Sequence, residues 1–350
     1  MFYKVLGLMS GTSLDGLDLA YCEFEIKDDV WQYSIPKATT IPYNNELKEK
    51  ILLSEHSAPE YLSYMDFYLG KYFGKQAYNF LKDNNLQVDF VSSHGQTIFH
   101  QPDKGFTTQI GNISALCSEA KTTVVGDFRS LDVALGGQGA PLVPIGDRLL
   151  FRDYDYCLNL GGFSNISYED NSKRKAYDIC PVNMVLNYLA SMLGKSFDDR
   201  GMLARKGRID ETLLNTLNTL PYYKDNVQKS LGKEWVKQNI FPILSNFPLR
   251  VEDLLATYTE HIAVQMAKHI KGSTLVTGGG AYNDFLIEKL REKTLQNIII
   301  PDKTTIDFKE ALIFAFLGVK RMRKEVNCLA SVTGAKQDSC SGAVVYWNEI

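Results

Sequence analysis

Three glycine-rich turns carry the residue types best suited to chemistry on a phosphate. The first is Leu6-Gly-Leu-Met-Ser-Gly-Thr-Ser-Leu-Asp-Gly-Leu-Asp18, an apolar strand running into a turn rich in glycine and hydroxyls. Gly11 and Gly16 are expected to let the backbone turn sharply and approach a ligand, and Thr12 and Ser13 offer hydroxyl donors. Asp15 and Asp18 suit the orientation of a magnesium ion or its waters, Asp15 through water. The same residues also suit an ordinary hairpin. A second turn of the same kind, with Gly161 and Gly162, lies in Tyr156-Cys-Leu-Asn-Leu-Gly-Gly-Phe-Ser-Asn-Ile-Ser167. Two such hairpins suggest an internal duplication, each being an apolar strand, a turn and a second alternating run. The third, Val276-Thr-Gly-Gly-Gly-Ala281, carries Gly278, Gly279 and Gly280 and reads as strand, turn and helix start, suited to a nucleotide's ribose or adenine face. His94 and His100 lack the i, i+4 spacing of a helical metal pair, which argues against a zinc site.

The elements that must position these turns follow from periodicity. Strands are expected near 3–9, 18–26 and 31–36, helix from about 58 to 84, a strand at 88–93 and helix from about 112 to 120. The aromatic residues between 61 and 80 have helical spacing and read as core. A polar, glycine-rich stretch at 128–144 reads as a long loop at a domain boundary. Further strands are expected over 155–168, 274–276 and 297–300, with helix after Pro181, several helices to about 270 and a last helix near 307–323. Strands alternating with helices indicate an α/β protein with two sheets and a cleft between them.

Composition narrows the function class. At 350 residues the chain is long enough for two domains, and a formal charge of −3 argues against nucleic acid as a main partner. The longest apolar run, Ala311–Val319, is roughly half of what a bilayer requires, so no membrane partner is expected. It reads as a core helix whose following Lys320-Arg-Met-Arg-Lys324 suits a helix C-terminus. The chain starts almost directly with a strand, so no signal peptide is expected. The 6 cysteines form no CxxC pair and are expected to be reduced, in a cytoplasmic protein.

With these segments in view, the chain resembles the anhydro-N-acetylmuramic acid kinases of the acetate and sugar kinase, heat-shock ATPase and actin superfamily. The resemblance spans nearly the whole chain. It rests on Ser10-Gly-Thr-Ser-Leu-Asp-Gly16, Ser93-His-Gly-Gln-Thr97 with His100, Gln109-Ile-Gly-Asn112, Gly126-Asp-Phe-Arg129 and Gly136-Gly-Gln-Gly-Ala-Pro-Leu142. Later in the chain it rests on Asn159-Leu-Gly-Gly162 with Asn165, Asp198 through Gly201, Thr277-Gly-Gly-Gly280, Glu310-Ala311 and Ser331-Val-Thr-Gly-Ala335. It implies a two-domain actin-like ATPase (ribonuclease H-like) fold with a central nucleotide and substrate cleft. The expected domains are 1–128 with about 318–350, and 129–317. It further implies ATP and Mg2+, a sugar substrate and a homodimer. The implied reaction opens 1,6-anhydro-N-acetylmuramic acid with water and phosphorylates the released O6, as in peptidoglycan recycling.

Such a reaction needs a base for water, charge neutralisation at the transferring phosphoryl group and exclusion of bulk water. Asp178 matches the family's catalytic aspartate and is the expected base, the alternative being a cap on the helix that follows. Arg129 suits a bidentate grip on the lactyl carboxylate, the alternative being a structural salt bridge. His94, Gln96 and Glu310 are implied on the sugar side, although His94 also reads as a satisfied loop histidine and Glu310 as a helix-start carboxylate. The family's Asp-Thr-Gly-Pro-Gly-Asn is here Asp178-Ile-Cys-Pro-Val-Asn183. The added side chains are expected to bend that turn or crowd Asp178; if anhydro-N-acetylmuramic acid is turned over poorly, Cys180→Gly with Val182→Gly is expected to improve its kcat/KM. The competing readings are a kinase for another sugar or acid, and a silent nucleotide sensor of the same fold.

Overall fold

Apolar runs in the early strands explain why they pair: in Gly16–Lys27 most side chains are buried and only the end reaches solvent. The structure is a computed structural model that describes residues 1–224 and 230–348. The chain forms two compact units, Met1–Phe151 with Phe308–Ile350, and Arg152–Asp307.

In the first unit β1 (Phe2–Ser10) turns into β2 (Gly16–Lys27), antiparallel from Phe2↔Glu25 to Ser10↔Leu17, and β3 (Val30–Pro42) continues the meander. Helices α1 (Asn45–Leu53) and α2 (Pro59–Asp83) lead to β4 (Phe90–Gln101), which lies parallel to β1. Then come β5 (Phe106–Ile110), α3 (Ile113–Ala120), β6 (Val124–Gly126), α4 (Ser130–Ala134) and α5 (Val143–Leu150). In α2 a proline opens the helix, and Met65, Leu69, Phe73, Ala77 and Phe80 recur at helical spacing on its buried face. Its Gly74 is needed because a Cβ there would lie 2.5 Å from Leu116 O in α3.

The second unit opens with β7 (Tyr156–Leu160), β8 (Phe163–Asp170) and β9 (Lys173–Pro181), an antiparallel meander. Helices α6 (Asn183–Ser191), α7 (Glu211–Asn218), α8 (Lys233–Asn239), α9 (Phe241–Ser245) and α10 (Val251–His269) follow. The strand β10 (Thr274–Thr277) runs parallel to β7, and after α11 (Asp284–Lys293) the short β11 (Ile298–Ile299) runs parallel to β10. The chain returns to the first unit within α12 (Lys303–Met322), and ends with α13 (Ala330–Thr333) and β12 (Ala343–Val345), the latter on the β6 edge.

The first sheet contains the order β3-β2-β1-β4-β6 and the second is β9-β8-β7-β10-β11. In both, a meander of three strands is followed by two parallel strands. The duplication expected from the two glycine hairpins is therefore present in the topology, and the molecule is α/β with two sheets.

Several local expectations need correction. The stretch 128–144 is loop only in part: 135–142 is irregular, but α4 precedes it and α5 starts at its end. The division of the chain falls at 151/152 and 307/308, so 129–151 and 308–317 pack with the first unit. The reason is packing: the Phe151 ring lies 5.3 Å from Tyr33 of β3, and Gly146 of α5 lies against Ile313 of α12. Of the aromatic residues in α2, Phe73 and Phe80 are core, but Tyr64 and Phe67 face solvent. Finally, Gly11 and Gly16 have ordinary φ, and the left-handed residue of the first turn is Leu14, at φ 56°. Gly16 is instead a point of close approach, since a Cβ would lie 2.5 Å from Ile41 O of β3.

Helix α12 seats on the first sheet through missing side chains. A Cβ on Gly7 of β1 would lie 2.2 Å from Ala311 O, and one on Gly318 would lie 2.6 Å from Ser92 Oγ. Ser92 Oγ itself donates to Phe314 O at 2.6 Å. Beside this seat a buried ion pair joins Lys309 Nζ to Asp147 at 2.7 Å. Gly7→Ala must push β1 away from backbone that cannot yield, and is expected to cost about 2 kcal/mol or more in urea unfolding. An unchanged midpoint would show that the contact is dispensable.

Candidate active site

Within the first unit the chemistry-bearing residues collect where β1, β4 and α12 meet. Ser10, the last residue of β1, is buried; its Oγ lies 2.5 Å from Gln96 Oε1 and 2.6 Å from Tyr43 OH. Gln96 Nε2 donates to Thr97 O at 3.2 Å, so both ends of this amide are held. The turn beyond Ser10 is open: Thr12, Ser13 and Asp15 are exposed, and Leu14 N closes the turn on Gly11 O at 3.1 Å. A Cβ on Gly11 would meet nothing nearer than Ser13 Oγ at 3.7 Å. Asp18 sits lower in β2, where its Oδ1 accepts from Thr40 Oγ1 at 2.5 Å.

His94 is buried in β4, its ring 4.5 Å from that of Phe314 on α12. Its Nδ1 lies 2.9 Å from Gly95 O, and its Nε2 lies 3.1 Å from Arg129 Nε and 2.8 Å from Nη2. A carbonyl can only accept and a guanidinium can only donate, so these partners fix a neutral imidazole with its proton on Nδ1. Burial, with the Arg129 charge beside it, pushes the His94 pKa down from 6.5 to about 3. His94 thus supports Arg129 with both ring nitrogens engaged.

Arg129 also donates from Nη1 to Gly139 O at 2.6 Å. Among the described residues its hydrogen-bond partners are therefore a histidine and a carbonyl, not the carboxylate of a structural salt bridge. The remaining Nη hydrogens are left for a ligand. Burial lowers the Arg129 pKa from 12.5 to about 10, opposed chiefly by Glu310, so it stays charged at neutral pH. Glu310 lies one turn before Phe314 on α12; protein packed around its carboxyl raises the pKa against the pull of Arg129 and Lys309, although the residue as a whole keeps open surface.

Sequence reading missed Asp132. It is 1 % exposed, and its Oδ2 accepts from Gly139 N at 2.8 Å while Oδ1 accepts from Thr333 Oγ1 at 2.7 Å. The available signal was a lone charge between two glycine motifs, in a stretch otherwise apolar or small.

The second unit gathers its own cluster around the β7–β8 turn. Gly161 and Gly162 form the tip, and Val182 N and Asn183 N, at the start of α6, donate back to Gly162 O and Gly161 O at 2.8 and 3.2 Å. Asn183 Nδ2 reaches Leu160 O at 3.1 Å. The third glycine turn packs on the same strand: Gly278, at φ 81°, would place a Cβ 2.6 Å from Asn159 Oδ1, and Gly280 would place one 2.6 Å from Leu160 Cβ. Gly279 between them has room. Helix α11 starts at Asp284, after one turn of 3₁₀ helix, so the expected strand, turn and helix start hold.

Asp178 lies in β9 opposite Asn165. Its Oδ2 accepts from Leu231 N at 2.8 Å and its carbonyl accepts from Tyr222 OH at 2.7 Å. Burial raises the carboxyl pKa, and the Leu231 N–H opposes that rise. It does not cap α6, whose cap is Val182 with no side-chain hydrogen bond. The divergent neighbours Ile179, Cys180 and Val182 are buried in the core of the second unit, and none of 178–183 needs positive φ. The expected gain from glycine at 180 and 182 is thereby corrected. Those substitutions would hollow the core rather than free the site.

A family model described as anhydro-N-acetylmuramic acid kinase matches residues 3–347. A relative from Bacillus cereus (strain AH820), named anhydro-N-acetylmuramic acid kinase, is 32% identical over 377 aligned residues, covering 98% of this chain and 99% of the relative. One of the same name from Sulfurimonas denitrificans is 33% identical over 367, covering 97% and 98%. Among solved structures, the activator of the 2-hydroxyisocaproyl-CoA dehydratase from Clostridium difficile with bound ADPNP matches with TM-score 0.45 and 13% identity, covering 92% of this chain and 98% of that one. A ROK family glucokinase from Streptomyces griseus, in complex with glucose and AMPPNP, matches with TM-score 0.40 and 9% identity, covering 90% and 98%.

The neutral His94 makes stability depend on pH. With its folded pKa depressed from 6.5 to about 3, the unfolded chain binds more protons between those values. The stabilisation is complete above pH 6.5 and is lost as pH falls toward 3. His261, buried in the second unit and also lowered to about 3, acts in the same sense. Taking urea unfolding from about pH 7 to about pH 5.5, His94→Gln should lose about 1 kcal/mol less than the parent. Parallel losses would mean that His94 takes up a proton in the folded state.

Proposed function

The chain belongs to the anhydro-N-acetylmuramic acid kinase family and is a sugar kinase, and we propose that it opens the 1,6-anhydro bridge of anhydro-N-acetylmuramic acid with water while moving the γ-phosphoryl of ATP to O6. The product would be N-acetylmuramic acid 6-phosphate, in the recycling of peptidoglycan. One observation carries the nucleotide part of this reading. Gly11 in the first unit, and Gly161, Gly162 and Gly279 in the second, have φ values open to any residue and room for a Cβ. Neither backbone strain nor packing explains why they are glycine. Close approach of a phosphate to the main chain does.

In the proposed step Asp178 takes a proton from water as the water oxygen bonds to C1, and the C1–O6 bond breaks. O6 bonds to the γ-phosphorus, whose bond to the β-bridging oxygen breaks to release ADP. The raised pKa of Asp178 supports the role of base, since the carboxylate then holds the abstracted proton more firmly. The free Nη hydrogens of Arg129 would bind the lactyl carboxylate and Glu310 a sugar hydroxyl, with His94 and Gln96 holding their surroundings in place. Exposed Asp15 suits Mg2+ held through water, because this ion keeps most of its waters when phosphates supply other ligands. When bound, Mg2+ would neutralise charge on the β- and γ-phosphates. Use of ATP and 6 free cysteines support a cytoplasmic location, and no helix among the described residues is long and apolar enough to cross a membrane.

Three measurements test this reading. Gly162→Ala should leave urea stability within about 1 kcal/mol of the parent, or raise it, while the KM for ATP rises on the order of tenfold. An unchanged KM would remove the phosphate role from that turn. Asp178→Asn should lower kcat on the order of a hundredfold or more with nucleotide binding kept. Turnover by the parent in heavy-oxygen water should put one label at C1 and none in the phosphate. Near-normal activity of the Asn variant, or label in the sugar phosphate group, sinks the mechanism.

A further inference from the structure

We infer that Asp132 positions Arg129, acting through the glycine loop 136–139, and so determines how firmly the sugar is held. The connection is a chain of short hydrogen bonds. Asp132 Oδ2 accepts from Gly139 N at 2.8 Å, Gly139 O accepts from Arg129 Nη1 at 2.6 Å, and the Nε and Nη2 of Arg129 engage His94 Nε2 at 3.1 and 2.8 Å. Gly139 is therefore clamped on both sides, by the carboxylate at its N–H and by the guanidinium at its carbonyl.

The carboxylate is itself fixed from the far end of the chain. Asp132 Oδ1 accepts from Thr333 Oγ1 at 2.7 Å and from Cys328 Sγ at 3.0 Å. The same C-terminal segment holds the loop backbone, with Gln138 N on Thr333 O at 2.8 Å and Lys336 N on Leu135 O at 3.2 Å. Gly137 completes the fit: a Cβ there would lie 2.2 Å from Asp132 Oδ2, so the loop wraps the carboxylate only without a side chain. A buried carboxylate is costly unless both oxygens are satisfied, and here each has a donor. The arrangement joins α4, which carries Asp132 just after Arg129, to the glycine loop and the 328–336 segment. A loop that only needed to close could use the backbone bonds alone. The added carboxylate fixes the one carbonyl that holds the guanidinium.

The kinetic part of the test rests on the proposed role of Arg129 toward the sugar, and a spectroscopic part does not. Asp132→Ala should raise the KM for anhydro-N-acetylmuramic acid on the order of tenfold, with the KM for ATP unchanged. Gly137→Ala, which displaces the loop from an intact carboxylate, should shift the same constant in the same direction, and decides the matter if Asp132→Ala does not fold. In protein labelled with ¹⁵N-histidine, the His94 Nε2 resonance should move toward that of a nitrogen without a hydrogen bond in both variants. A folded variant of either kind with a parental His94 signal overturns the inference. If Arg129→Met leaves the sugar KM unchanged, the sugar role of Arg129 fails, and the His94 signal alone judges Asp132.

Discussion

Direct contact between the backbone of α12 and the first sheet is the constraint on which that unit's site depends. Ala311 O could not approach β1 if residue 7 carried a Cβ, and Ser92 Oγ donates into the same helix at Phe314 O. A helix held this closely cannot slide or rotate without breaking steric contacts at several residues, because interiors are packed to near-crystal density. Phe314 is consequently fixed against the His94 ring, and Glu310 is presented one turn earlier. Lys309 on the same turn is buried with Asp147, so the helix cannot rotate there without separating a desolvated ion pair.

Electrostatics then follows from packing. Because His94 is buried beside Arg129 it stays neutral, and because it is neutral its Nε2 is an acceptor for the guanidinium. A protonated imidazole there would face a cation with a donor. The low pKa of the histidine and the position of the arginine are two descriptions of one contact, and both rest on the wall that Phe314 supplies. Behind the arginine, the buried Asp132 carboxylate offsets part of the charge and holds the loop.

The second unit uses the same topology with different residues. Its hairpin tip has no side chains at 161 and 162, while Gly278 and Gly280 are glycine for internal reasons, one for its φ and its neighbour Asn159, the other for Leu160. The two kinds of glycine lie close together and look alike in the sequence. Only the space around each separates a residue that makes the fold possible from one that leaves a surface open.

The sequence by itself determined the features that depend on neighbouring residues: the apolar runs of β1 and β2, the helical spacing of α2 and α12, the three glycine turns, and the doubling of a hairpin motif that the two sheets then repeat. Motif order along the whole chain also carried the family. Only the tertiary structure decided which glycines are structural, that Ile179, Cys180 and Val182 belong to the core, that a helix and the start of another interrupt 128–144, and that Arg129 is held by a histidine 35 residues away. It also disclosed Asp132, whose partner Thr333 is 201 residues distant. Local period and turn chemistry are written in adjacent side chains. A hydrogen bond between remote segments depends on the packing of everything that brings them together, and no short window of sequence records it.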